Sequence, residues 1–138
     1  MSHQNVEIVR QVWKAFNDLG IQEDVAGVLA EFFDPEIEWH DTPSLPGAGV
    51  YRGHEALQGH IEDYLDAWAD SRFEIEEIRS VGDRVLTRGR YVGVGRQSGV
   101  RLEDNLVLGV YDLRRGRVLR VRQFVDEGNA LTAAEAPG

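Results

Sequence analysis

The stretch FFDPEIEWHDTPSLPGAGVYRGHEAL, Phe32–Leu57, sets the order of elements from which the fold is read. It ends one helix, runs as a strand, breaks into a loop and opens another helix. The ring of Pro35 disfavours helical geometry at Asp34, so the helix before it stops at DP. EIEWH then alternates apolar and polar residues as a strand does. Beyond it, Pro43, Pro46, Gly47 and Gly49 make a loop, with the pair His40 and Asp41 at its entrance.

Towards the N-terminus, Val6, Val9, Val12, Trp13 and Phe16 recur at three- and four-residue spacings. They predict a first helix, capped at Asn5 and ended by Gly20. A second, shorter helix is predicted over about Glu23–Phe33, with Val25, Val28, Leu29 and Phe32 inward. Towards the C-terminus, Leu57, Ile61, Tyr64, Leu65 and Trp68 fall within about 100° of arc, which makes a third helix. From Arg72 the period changes to 2, predicting strands over about Arg72–Ser80, Arg84–Arg96, Val100–Leu113 and Arg117–Asp126. Their connections VGD, RQSG and RRG are short and contain glycine, so an antiparallel meander is expected. The tail after Gly128 suits one helical turn and a frayed end. Helices followed by strands point to α+β, with helices packed on one face of a strongly curved sheet.

The 138 residues are one domain's worth of chain, able to bury roughly 68% of its unfolded surface. An apolar fraction of 42% with 28% charged residues is that of an ordinary globular protein, and no apolar run approaches the ~20 residues needed to cross a membrane. No signal peptide is read at Met1–Gln4, so a cytoplasmic location is expected. Without cysteine there is no disulfide, thiolate nucleophile or Cys-ligated metal. The net charge of −9 repels polyanions, which argues against nucleic acid as a partner. The four histidines form no His-x-x-x-His pair, no compact carboxylate cluster stands out, and GVGRQSG joins two strands instead of opening a helix. Neither a metal nor a cofactor is expected.

The order of a helix ending in FFDPEIEW, a Pro/Gly loop, YRGHEAL opening a long helix, and a meander with GDRV and GRV turns resembles the nuclear transport factor 2-like superfamily. Within it the chain is most similar to the SnoaL-like group, named for a polyketide cyclase and related to ketosteroid isomerase and limonene-epoxide hydrolase. The likeness covers about Asn5–Leu131. It implies a cone in which helices close one side of the curved sheet and an apolar pocket opens at the wide end, with the loop after the first strand at its mouth. The scaffold hosts enzymes, binding modules and interaction domains alike, so the fold by itself assigns no function.

Carried over residue by residue, the resemblance places the base of ketosteroid isomerase on His40, beside Asp41. Its oxyanion-holding tyrosine falls at Val12 or Trp13 and its strand aspartate near Leu108, neither of which can serve. A steroid isomerase is therefore rejected. Of the Asp-Arg-Asp network of limonene-epoxide hydrolase, Arg88 matches the arginine, but Arg90 stands where a carboxylate should, with Asp104 on the next strand as a possible partner.

Four catalytic candidates follow. His40 would be the base and Asp41 its orienting partner, Arg90, or Tyr51 in its place, would stabilise developing negative charge, and Asp104 would pair with an arginine. Alternatively, His40 and Asp41 are a solvated loop pair. Arg88 and Arg90 share one strand face: inward they need carboxylates or an anionic ligand, outward they pair with Glu74, Glu76 or Glu103. The scarcity of unpaired buried charge favours outward.

Trp13, Trp39, Tyr64 and Trp68 are expected to bound a pocket of several hundred cubic ångströms, or to be plain core. Tyr51 offers a hydroxyl at the rim or simply packs there, His54 is a surface residue in the first turn of the third helix before it is a neutral donor or cap, and the resemblance places Gln123 as an inward amide. His60 reads as a surface residue. The expected ligand is a small apolar organic molecule, handled by acid–base chemistry such as isomerisation, cyclisation, dehydration or epoxide hydrolysis. The alternatives are a non-catalytic carrier and a domain for association only. A homodimer is expected, because one face of the meander would otherwise leave apolar residues wet.

Overall fold

The computed structural model describes residues 2–18, 24–42 and 49–137; for 2 and 102–105 only the backbone is described. Helices α1 (Ser2–Asn17) and α2 (Val25–Phe32) are followed by strands β1 (Phe33–His40) and β2 (Val50–Arg52) and helix α3 (Gly53–Ala67). Strands β3 (Trp68–Val81), β4 (Arg84–Gly95), β5 (Arg101–Arg114) and β6 (Arg117–Phe124) and helix α4 (Glu127–Glu135) complete the chain. The six strands form an open sheet in the order β2-β1-β6-β5-β4-β3. All neighbours are antiparallel except β1 and β6, which run parallel.

The α+β architecture expected from the sequence is the observed one, with several differences of detail. Helix α1 starts before Asn5, and its expected stop at Gly20 lies outside the described residues, as does the Pro/Gly segment 43–48. At α2, the Asp24 carboxylate accepts from the backbone N–H of Gly27 at 2.9 Å and caps the helix. Strand β1 begins at Phe33, and its pairing with β6 breaks between Phe33 and Glu38, where Pro35 has no N–H to donate. Strand β2 went unforeseen because three residues are too few to show a period. Trp68 opens β3 instead of closing α3. The tail is a full helix, capped by the Asp126 carboxylate on the N–H of Asn129 at 2.9 Å, so Asp126 belongs to a helix start and not to the last strand.

The hairpins turn as their glycines require: Gly82 has φ 60° between the paired Val81 and Arg84, and Gly116 has φ 78° between Arg114 and Arg117. Register breaks between Ala69 and Arg72, between Ile75 and Glu77, and between Tyr91 and Gly93 add local twist and bend the outer strands. The bent sheet meets α1, α2 and α3 with one face, whose core contains Val9, Leu29, Phe33, Ile37, Leu57 and Val121. The opposite face carries a second, smaller core in which Leu86, Leu108 and Val110 pack on Ala130 and Ala134 of α4. That helix covers part of the apolar surface from which a second copy of the chain was expected.

The same outer face is tied by charge. The Asp112 carboxylate, 18% exposed, accepts from Arg84 Nε and, at 2.7 Å, from Arg120 Nε. Arg84 also donates to the carbonyls of Ala133 and Ala134 near the end of α4. Burial alone would raise the Asp112 carboxyl, but these guanidiniums outweigh it and hold the group below the usual carboxylate range. A depressed folded-state pKa contributes stability above the unfolded value near ~3.9 that is lost as pH falls through the folded one. Asp112→Asn should therefore cost about 2 kcal/mol at neutral pH and flatten the acid side of the stability curve. Urea unfolding from pH 7 down to pH 3 measures both, and an unchanged acid limb would rule the group out.

Candidate functional site

Alternation along β1 decides which side chains look inward. Ile37 and Trp39 are buried on the helical side, Glu38 and His40 are half-buried on the other, and Asp41 follows Trp39 inward. From α3, His60 and Tyr64 arrive together because residues four apart share a helix face. Trp13 and Phe16 come from α1, Phe73 from β3 and Tyr91 from β4. Between them is a cavity of about 70 Å³. It is smaller than the several hundred cubic ångströms expected, because the rings fill much of the cone. The Trp13 ring centre lies 4.5 Å from that of Phe73, 6.0 Å from Trp39 and 6.1 Å from Tyr91.

Asp41 is the carboxylate among the described residues that line this cavity. Its side chain is 3% exposed, and the partners around it are few. Trp39 Nε1–H reaches Oδ1 only at 3.5 Å, a long hydrogen bond. His60 Nε2 lies 3.0 Å from Oδ2 but off the hydrogen-bonding direction, so this buried oxygen has a ring nitrogen beside it and no aligned donor. The Tyr64 hydroxyl is likewise buried with no hydrogen-bond partner. Its pKa is raised, first by burial and then by the negative charge of Asp41, so it stays a neutral donor. The His60 ring stacks on Tyr51 at 3.9 Å, with 12° between the planes, which fixes its orientation at the rim.

A second layer holds the acid in place. The backbone N–H of Asp41 donates to Gly49 O at 3.0 Å, and that of Thr42 to Gln123 Oε1 at 3.0 Å. Gln123 Nε2 in turn donates to the Tyr91 hydroxyl at 2.7 Å. Burial and then Asp41 raise the Tyr91 pKa well above the phenol range. Trp13 Nε1–H donates to the Tyr111 hydroxyl at 2.8 Å, which also shares a hydrogen bond with Thr87. Burial pushes the Tyr111 pKa up to about 12. At the end of α1, the Asn17 amide exchanges two hydrogen bonds with the Phe73 backbone, at 2.8 and 3.0 Å, and fixes the cavity's far wall.

Of the residues singled out in the sequence, Trp13, Trp39, Asp41 and Tyr64 line the cavity. Gln123 and Tyr51 stand directly behind residues that do. His40 does not join Asp41: its ring N–H donates to Glu38 Oε1 at 2.5 Å on the other face, because successive strand residues point to opposite sides. Arg90 and Arg88 also lie on that outer face, 3.0 and 3.7 Å from Glu76, as solvent-side pairing required. They form no part of the cavity wall. The side chain of Asp104 is outside the described residues. His54 Nε2–H donates to the Phe33 carbonyl at 3.0 Å, pinning the start of α3 to β1. Trp68 packs behind Tyr64 at 6.5 Å. His60, Phe73 and Tyr91 were missed as site residues. The i,i+4 spacing of His60 and Tyr64 was the available signal for the first, since it puts both on one helix face. Among the described residues no three His, Asp or Glu side chains could hold a metal ion, and no helix is long and apolar enough to cross a membrane.

A family model described as a SnoaL-like domain matches residues 9–121. No curated protein matches the sequence. Among solved structures, Bal32a from a soil-derived mobile gene cassette superposes with a TM-score of 0.75 at 26% identity, over 98% of each chain. A candidate SnoaL-like polyketide cyclase from Jannaschia sp. CCS1 gives 0.73 at 22%, over 99% of this chain and 95% of that one. An NTF2-like protein of unknown function from Burkholderia pseudomallei K96243 gives 0.72 at 22%, over 99% and 100%.

Proposed function

The chain belongs to the SnoaL-like domain family, and from that premise we propose that it is an enzyme moving a proton on a small, mostly apolar organic molecule held between α1, α3 and the sheet. The buried Asp41 carboxylate carries this reading, since a charged group with so few partners costs stability unless it has work to do. Oδ2 is the proton acceptor. A C–H beside a carbonyl gives its proton to this oxygen, the bond's electron pair moves onto the carbonyl oxygen, and the Tyr64 hydroxyl donates a hydrogen bond to the charge that develops there. His60, at 16% exposed, stands between the acid and solvent and passes the proton in or out. Such a step begins isomerisations, cyclisations and dehydrations alike. The role first given to His40, with Asp41 as its helper, passes to Asp41 with His60 as its helper.

Small ketones in deuterated buffer test this. Binding is followed by tryptophan fluorescence, and loss of the α-hydrogen signal by proton NMR. A ketone that binds should exchange at least 10²-fold faster than with free acetate and imidazole at the same concentration. Binding without exchange would make the cavity a carrier's site, and no binding would remove both readings.

A further inference from the structure

We infer that the ligand taken by this cavity carries a positive charge, as a compact alkylammonium group. The inference rests on the cavity being a small-molecule site and adds the chemical class of its occupant.

Charge and ring faces point the same way. Arg72 borders the cavity, but its guanidinium is spent on Glu74, which it contacts at 2.9 and 3.0 Å on the exposed side. Asp41 is the carboxylate in the wall, and His60 approaches it off the hydrogen-bonding direction. An anionic ligand would meet Asp41 with no free guanidinium or ammonium among the described wall residues to balance it. A neutral apolar ligand would leave Oδ2 buried and without an aligned donor, which costs about 1–3 kcal/mol or more for a charged group. An ammonium removes that cost. It also finds the rings of Trp13, Trp39, Tyr64, Phe73 and Tyr91 around it, and aromatic enclosure is a common way of holding ammonium groups. The tryptophan N–H edges, which would repel a cation, are turned to other acceptors, Tyr111 for Trp13 and Asp41 for Trp39.

Size sets the limit. A dry cavity of about 150 Å³ takes benzene, so about 70 Å³ takes a group of about three or four non-hydrogen atoms, such as isopropylammonium.

Isopropylammonium chloride and isopropanol have the same number of non-hydrogen atoms and nearly the same shape, each can donate a hydrogen bond, and they differ in charge. Titrated into the protein at fixed ionic strength, with sodium chloride as control, isopropylammonium should bind at least tenfold more tightly. In Asp41→Asn the preference should shrink to within about threefold. If that variant fails to fold, as circular dichroism would report, Tyr64→Leu replaces it and should lose several-fold in ammonium affinity with little change for the alcohol. Equal binding of the two probes to the wild type, or a preference that survives both substitutions, overturns the inference and leaves the cavity as a site for neutral molecules. If neither probe binds, this inference and the proposed function fall together.

Discussion

Asp41→Asn should slow proton exchange on a bound ketone by a factor on the order of 10²–10⁴, the usual contribution of a positioned general base. The amide keeps the size and shape of the carboxylate and removes its ability to accept a proton. Binding of a neutral ligand should change by less than about threefold, because the ring surfaces that hold it are untouched, so the loss appears in kcat and not in KM. Stability should move the other way. The substitution removes a buried charge that has one long hydrogen bond and one poorly aligned contact, and burying such a charge costs more than burying a neutral amide, so the variant should be at least as stable as the wild type. A slower enzyme that unfolds at the same or a higher urea concentration is the expected pair of results. A variant that exchanges at the wild-type rate would show that the acceptor lies elsewhere. A variant that loses activity only because it unfolds would show that Asp41 is structural.

Trp13→Ala should lower stability by about 3–5 kcal/mol, the range for removing a fully packed tryptophan. Its ring is 5% exposed and meets Phe16, Trp39, Phe73 and Tyr91 with centroids between 4.5 and 6.1 Å away. It therefore joins α1 to β1, β3 and β4 at once. The substitution also withdraws the N–H that Tyr111 receives at 2.8 Å, deep in the sheet's inner face. Against a total of about 5–15 kcal/mol for a domain, this loss brings the protein close to unfolding at room temperature. Trp13→Phe separates the contributions: it keeps most of the ring packing, and Thr87 still serves Tyr111, so about 1–2 kcal/mol should be lost. The midpoint and slope of urea unfolding measure both variants. A Trp13→Ala protein as stable as the wild type would mean that the rings of the cone re-pack around the gap.

The inward face of α1 was legible from its spacing. Val9, Val12 and Trp13 are all buried, as the 3.6-residue period predicted. The meander was legible because each hairpin carries a glycine between runs of period 2. At the site, Trp13, Trp39 and Tyr64 were legible for the same reason: a large apolar ring on an inward arc has few places to go. Asp41 was singled out beside His40, but which of the two enters the cavity was not legible, because on a strand one residue is the difference between the two faces. Arg88 and Arg90 were open to two readings until the register of β3 with β4 brought them beside Glu76 on the outer face.

The sequence by itself determined most of the elements, their order and the residues that share a face within each, but not the three-residue β2 or the full length of α4. Those properties follow from periodicity, from caps and from turns, and all of these act between residues a few positions apart. The tertiary structure alone decided which faces meet. The parallel pairing of β1 with β6 brings Gln123 to the backbone of Thr42, and the packing of α3 over the end of β1 sets His60 and Tyr64 against Asp41. These contacts join residues far apart in the chain, where no local pattern links them, and they form because closing the sheet around α1 and α3 buries the aromatic rings together.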